Sequence, residues 1–82
     1  MISPDLDEFS DRHPSTQEKL RWLVPNPKLP DGTPRTVSHL CWEHGRHLAR
    51  LLGDGPQLTL ALQQLIIVKD CAVRQAIADG DT

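Results

Sequence analysis

The sequence contains few of the residues that stabilise disulfide-rich or metal-binding domains. Only two cysteines, Cys41 and Cys71, occur among its 82 residues, and no C-x-x-C motif is present. This usage supports neither a disulfide framework nor a zinc ribbon, so we expect two free thiols in a reducing compartment. Tyrosine is absent, and Phe9, Trp22 and Trp42 are the only aromatic side chains of the Phe, Trp and Tyr class. Each tryptophan is expected to help form a small core, with stacking on a base as the alternative, and a subunit contact is a further alternative for Trp42.

Long apolar segments and recognisable catalytic motifs are also absent. The longest unbroken apolar run is the four residues 65–68, whereas a membrane-spanning helix needs about 20. Together with the lack of a signal-like opening segment, this predicts a soluble cytoplasmic protein that is not secreted. The sequence has no P-loop, no G-x-G-x-x-G loop and no G-x-S-x-G elbow. We therefore expect no enzyme, no catalytic residue and no cofactor.

The histidines invite comparison with metal-binding helices. His39, Glu43 and His47 follow one another at intervals of four, but the outer two are about 12 Å apart along a helix, too far for one ion. The order Glu43-His44 also differs from H-E-x-x-H, in which the glutamate follows the first histidine. We expect no metal site, a surface pairing for Glu43 and a core position for His44.

Charge is distributed unevenly along the chain. Residues 1–11 carry a formal charge of −4, residues 12–52 carry +4 and residues 53–82 carry −2. An acidic arm beside a basic middle segment indicates a local positive pocket for a small anion, and an ordinary solvated helix face remains the alternative. Duplex DNA is not an expected partner, because the last helix carries only Lys69 and Arg74 as basic residues.

The first third of the chain reads as an arm followed by a short helix. Residues 1–13 form an acidic arm with Phe9 as its apolar anchor. Ser15 and Glu18 are spaced as a capping box, which predicts a helix over 15–24 that ends before a proline.

A proline-rich connector over 25–35 separates this helix from the rest. Its closely spaced prolines exclude a helix or a central strand there. The connector is either a spacer wrapping the outside or a rigid loop that presents Lys28 and Arg35.

The remaining sequence predicts two longer helices, over 36–52 and 56–79, joined by a Gly-Asp-Gly-Pro link. We expect them to form an antiparallel hairpin, with Gly45 as a weak point or a place of close packing. The last helix is apolar around most of its circumference, apart from a narrow polar stripe. That stripe consists of Thr59, Gln63, Asp70 and Arg74.

One small chain has too little surface to cover both apolar flanks of that helix, so we expect self-association. A monomer whose arm and short helix wrap both flanks is the alternative. The predicted fold is thus one all-α domain over 1–82: a short helix, a proline-rich connector and a two-helix hairpin that oligomerises. The predicted interface residues are Leu60, Ile66, Ile67, Val73 and Ile77.

Two segments resemble a known family. The stretch Phe9-Ser10-Asp11-Arg12-His13-Pro14, followed by Gln17 and Arg21, resembles the N-terminal F-x-Y-H-x-P segment of phage anti-CBASS cyclic-oligonucleotide sponges. The run Pro56-Gln57-Leu58-Thr59-Leu60-Ala61-Leu62-Gln63-Gln64-Leu65, continuing to Ala72, Ala76 and Ile77, resembles their final helix. The position before the His-Pro pair is Arg12 here instead of an aromatic residue, and the proline-rich connector resembles an insertion.

The resemblance implies a helical homo-oligomer, such as a hexamer, that sequesters a cyclic nucleotide of bacterial immunity without degrading it. The hairpin is shared with Thoeris-counteracting sponges. On this hypothesis the ligand contacts Phe9, Arg12, His13, Pro14, Lys28 and Arg35. Arg12 stacks on or pairs with the nucleotide, His13 and Pro14 shape the pocket wall, and Lys28 and Arg35 neutralise phosphates. The alternative is an interaction module that docks its apolar face onto a host or phage protein.

Overall fold

Residues 7–80 are described by the computed structural model, and they form helices without any strand. The all-α prediction is confirmed for this part of the chain. The first six residues of the predicted acidic arm lie outside the described residues. The elements are a short 3-10 turn over Asp7–Phe9, then α1 over Pro14–Leu23, α2 over Thr33–Leu51 and α3 over Pro56–Gly80.

The N-terminus of α1 is capped differently from the prediction. His13 is the cap residue, and its Nδ1 accepts a hydrogen bond of 3.1 Å from the Ser15 amide. Ser15 lies inside the first turn and Glu18 is exposed, so the capping-box prediction is wrong. The physical reason is Pro14, whose fixed φ suits the first helical position. The helix therefore begins at Pro14, one residue before the predicted start at Ser15.

The connector is shorter than predicted, because α2 begins at Thr33 rather than at 36. Pro34 lies in the first turn of α2, where a missing amide proton costs nothing, and it is buried. Gly32 precedes the helix with a φ of +96°, a conformation that favours glycine. Its carbonyl accepts hydrogen bonds from the amide and the hydroxyl of Thr36, at 3.0 and 3.1 Å.

One hydrophobic core joins the three helices and the N-terminal turn. Phe9 is buried in it, as the anchor of the arm should be. Trp42 also belongs to this core, but Trp22 and His44 are exposed, so their predicted core positions are wrong. The core consists of Phe9, Leu20, Leu23, Cys41, Trp42, Ala49, Leu58 and Leu62.

Gly45 lies on α2 where side chains of both α1 and α3 come close to its backbone. A Cβ atom added there would lie 2.7 Å from Cδ1 of Leu23 on α1, and 3.7 and 3.5 Å from Leu62 and Leu65 on α3. Gly45 therefore marks close packing rather than a weak point of α2.

The ten residues of α1 pack against both longer helices, which have 19 and 25 residues. Since α1 is much shorter than its two neighbours, parts of α2 and α3 stay uncovered. Over residues 7–80, no helix combines the length and the hydropathy needed to cross a bilayer.

Candidate ligand pocket and apolar surface

Arg12 connects the N-terminal segment to the link between α2 and α3. Its Nε donates to Oδ1 of Asp54 at 2.9 Å, its Nη2 donates to the Leu52 carbonyl at 2.8 Å, and its Nη1 donates to the Ala49 carbonyl. Only 17% of the Arg12 side chain is exposed. The guanidinium thus caps the last carbonyls of α2, where a positive charge is favourable. The Arg12 guanidinium therefore bonds to other parts of the same chain, whereas the resemblance assigns it to ligand binding.

Asp54 completes this arrangement from the other side of the link. Its Oδ2 accepts from the His13 amide at 3.0 Å, and its Oδ1 accepts from the Thr16 hydroxyl at 2.9 Å. The His13 amide has the largest effect in lowering the pKa of Asp54, and Thr16 and Arg12 add to it against the opposing effect of desolvation. The carboxylate therefore stays ionised and holds the start of α1 against the start of α3.

A cavity of about 540 Å³ opens beside this link. Hydroxyl, amide, imidazole and ammonium groups surround an apolar floor. The lining consists of His13, Ser15, Lys19, Asp54, Gly55, Pro56, Thr59, Leu60 and Gln63.

The polar groups of the cavity form two pairs that bridge α1 and α3. Ser15 Oγ lies 3.3 Å from Thr59 Oγ1 and 2.9 Å from Nδ1 of His13. Lys19 Nζ donates to Gln63 Oε1 at 2.7 Å. Each of these side chains can exchange its hydrogen bond to a neutral neighbour for a hydrogen bond to a ligand. The cavity therefore has donors for an anionic or polar molecule.

The electrostatic field in the cavity favours an anion. Both α1 and α3 begin beside the cavity, and the N-terminus of each helix carries a partial positive charge. Lys19 adds a full positive charge, while the negative charge of Asp54 is balanced by Arg12. Among the described residues, no cluster of three His, Cys, Asp or Glu side chains is placed to hold a metal ion.

The six predicted ligand residues are not brought together. His13 lines the cavity, whereas Phe9 is buried in the core and Pro14 is the exposed first residue of α1. Lys28 is exposed in the connector. The structure thus separates the predicted set into the region around His13 and the region around the connector.

Arg35 stabilises the connector. Its Nη2 donates to the carbonyls of Leu29 at 2.6 Å and Pro27 at 3.1 Å, and its Nη1 pairs with Asp31 at 2.8 Å. It lines a different cavity, on the N-terminal part of α2. Within one chain, Arg35 therefore lies in a different cavity from His13, although the hypothesis assigns both residues to one ligand site.

The sequence did not single out Ser15, Lys19, Thr59 and Gln63 as candidate site residues, although all four line the cavity. The polar stripe of α3 was the available signal for Thr59 and Gln63, because an isolated polar stripe on an apolar helix marks the side that meets polar groups. Lys19 had no such signal, since its partner on α3 is 44 residues away in the sequence.

The apolar outer surface of α3 is only partly as predicted. Leu60, Ile67 and Ile77 are 51%, 47% and 41% exposed. Ile66 packs against the core, and Val73 is half-buried near the connector. These two are less available to a second copy than predicted, because they lie on the side of α3 that packs within the chain.

Comparison with known proteins adds no relative. No protein-family model matches the chain, and no curated protein or solved structure matches it either. The case for a function therefore rests on the residues and on the geometry of the cavity.

Proposed function

We propose that this chain is a non-enzymatic binding protein that assembles with copies of itself and sequesters a cyclic nucleotide signal of bacterial immunity. One observation carries the proposal. The two segments that carry the resemblance border the same cavity, with His13 from the first and Pro56, Thr59, Leu60 and Gln63 from the second, and Ser15 and Lys19 line it beside His13. The two segments are more than 30 residues apart in sequence, and folding brings them together around one cavity.

Binding in this cavity uses charge and hydrogen bonds rather than chemistry on the ligand. The Lys19 ammonium pairs with a phosphate, and the free amides at the start of α3 reinforce the attraction. The hydroxyls of Ser15 and Thr59 form hydrogen bonds with the sugar or the base of the nucleotide. Pro56 and Leu60 provide an apolar floor for it. Since the proposed role is capture and not catalysis, we expect the ligand to leave the protein unchanged.

Self-association gives this site a second half. Leu60 lines the cavity and is also exposed, so a copy that covers Leu60 lies at the rim of the site. A symmetric contact supplies every ligand group twice, which suits the near-symmetry of a cyclic dinucleotide.

We infer the antiparallel hairpin of α2 and α3 from the short link and from the packing of Gly45 against Leu62 and Leu65. The expected setting is an oligomer, such as a hexamer, in the cytoplasm of an infected bacterial cell.

The test is a retention assay with a panel of cyclic dinucleotides and trinucleotides. The protein is incubated with each nucleotide, separated from free ligand and denatured, and the released nucleotide is identified by mass spectrometry. We expect stoichiometric recovery of an intact nucleotide. Lys19→Met and Thr59→Val should weaken retention, while Arg21→Met, an exposed change on the same helix as Lys19, should not. Unaltered retention in Lys19→Met and Thr59→Val would show that the nucleotide binds elsewhere on the protein. If the protein retains no nucleotide of the panel, the proposal is refuted.

A protein-interaction module is the second candidate, and the exposed apolar surface favours it. Eight large apolar side chains are exposed within residues 7–80, among them Trp22. A surface of this kind also fits a foreign protein. Sedimentation of the purified chain separates the two candidates: an oligomer supports the sponge, whereas a monomer that forms a fixed-ratio complex with one foreign protein supports the module.

A further inference from the structure

The outer face of α2 carries a stripe of four exposed residues that lies outside the core and outside the cavity beside the α2–α3 link, although Leu40 also lines the cavity at the N-terminal part of α2. Leu40, His44, His47 and Leu51 are all exposed, and the two leucines are 63% and 80% exposed. Their spacing of four, three and four residues places them on one side of the helix. The stripe is therefore a separate surface from the exposed side chains of α3.

The order of this stripe is the same in both directions. It reads leucine, histidine, histidine, leucine, and it is symmetric about the point between Gly45 and Arg46. A two-fold axis through that point sets Leu40 of one chain against Leu51 of a second copy. It also sets His44 against His47. Self-complementarity of this kind is what a two-fold contact between identical surfaces requires.

We propose that α2 pairs antiparallel with α2 of a second copy through this stripe. The charges on either side permit the approach, because Glu43 is paired with Arg46 at 2.6 Å and Arg50 is paired with Glu8 at 2.6 Å. No unpaired like charges are thus brought together along the contact. The antiparallel order also sets the acidic Glu43 next to His47 of the second copy, whose imidazole N–H is a donor for a carboxylate.

The α2 contact is small by itself. The stripe is about 16 Å long at 1.5 Å per residue, and a stable interface covers about 800 Å² on each partner. It therefore acts together with the α3 surface, and two different contact surfaces on each chain allow assemblies of more than two copies. The inference rests on the self-association in the proposed function but does not depend on its ligand.

Cross-linking with cysteine tests the antiparallel order directly. Leu40→Cys and Leu51→Cys are made separately in a Cys71→Ser background, because Cys71 is an exposed thiol. The two variants have the same composition, so one of them is labelled uniformly with ¹⁵N to give it a different mass, and the two are then mixed and mildly oxidised. We expect the mixed disulfide between positions 40 and 51 to dominate over either homodimer, since only that pair approaches to the short Cα distance that a disulfide needs. His39→Cys is the matched control, exposed but a quarter turn away from the stripe, and should cross-link weakly.

Two other outcomes would overturn the proposal. Predominant homodimers of Leu40→Cys would indicate a parallel contact, and cross-linking no stronger than that of the His39→Cys control would indicate no contact at all.

A second variant keeps the test independent of oxidation. Leu51→Asp should reduce the mass of the assembly in native mass spectrometry while leaving helix content and nucleotide retention per chain unchanged. Leu60→Asp should instead affect both the mass and the retention. An unchanged mass for Leu51→Asp would refute the α2 contact without refuting the ligand site.

Discussion

Replacing Arg12 with methionine should destabilise the ligand-free protein. Methionine keeps most of the apolar stem but loses all the donors, so the carbonyls of Ala49 and Leu52 lose their partner. A hydrogen bond to a charged donor contributes about 1.5–3 kcal/mol. The bond to Ala49 is partly shielded from water and the bond to Leu52 is exposed, so we take about 2 kcal/mol for the two together. The ion pair with Asp54 is also exposed and adds little.

The measurement is urea unfolding followed by circular dichroism, with thermal unfolding as a second readout. For a domain of this size, a loss of about 2 kcal/mol lowers the Tm by about 10 °C or more. Arg21→Met is the matched control, because Arg21 is exposed on α1, and its unfolding free energy should change by less than about 0.5 kcal/mol.

The result separates two roles for Arg12. A group that serves only to contact the ligand would leave the stability of the free protein unchanged when it is replaced. If Arg12→Met unfolds like the wild-type protein while nucleotide retention falls, the guanidinium is a ligand group and its contacts with the end of α2 contribute nothing. That outcome would refute a structural role for Arg12.

The packing and the charges give three further expectations. Gly45→Ala should destabilise the protein in urea unfolding. Overpacking against the fully buried Leu23 costs about 1–3 kcal/mol, whereas the gain in helix propensity is about 1 kcal/mol. Gly53→Ala is the control, because the space around Gly53 is open. The pKa of Asp54 is below its ordinary 3.8, so its contribution to stability is present above that pH and is lost as the pH falls through the lowered value. A carboxyl NMR titration should give that lowered pKa, and Asp54→Asn should flatten part of the acid limb of stability; an ordinary pKa would contradict the contacts of this group. Finally, Cys71 should react with a thiol reagent in the native protein while Cys41, which is buried and whose pKa is raised by desolvation, should react only on unfolding; equal reaction rates would show that the core is open.

The helices were predictable because their signals are local. Prolines at 14, 34 and 56 and the periodicity of the apolar residues fix where each helix lies, and the sequence errs by one to three residues at each N-terminus except that of α3. Where it errs, the reason is the same at both helices: a proline in the first turn reads as connector or flank although it starts the helix.

The site was less predictable, because it depends on contacts between distant residues. The charge of Arg12 suggests a ligand group, but that charge serves the carbonyls of α2, some 40 residues away. Lys19 and Gln63 meet only once α1 lies on α3. Residue type and local spacing carry no information about which of several arginines the fold itself uses, and this is why the sequence assigns Arg12 and Arg35 to the ligand.

The most direct test of the proposed function is native mass spectrometry of the purified protein, with and without cyclic nucleotides. We predict a defined multiple of the 9.2 kDa chain that gains an intact cyclic nucleotide in a fixed ratio to its copies. A single 9.2 kDa chain that gains no nucleotide at any concentration tested would contradict both the assembly and the capture.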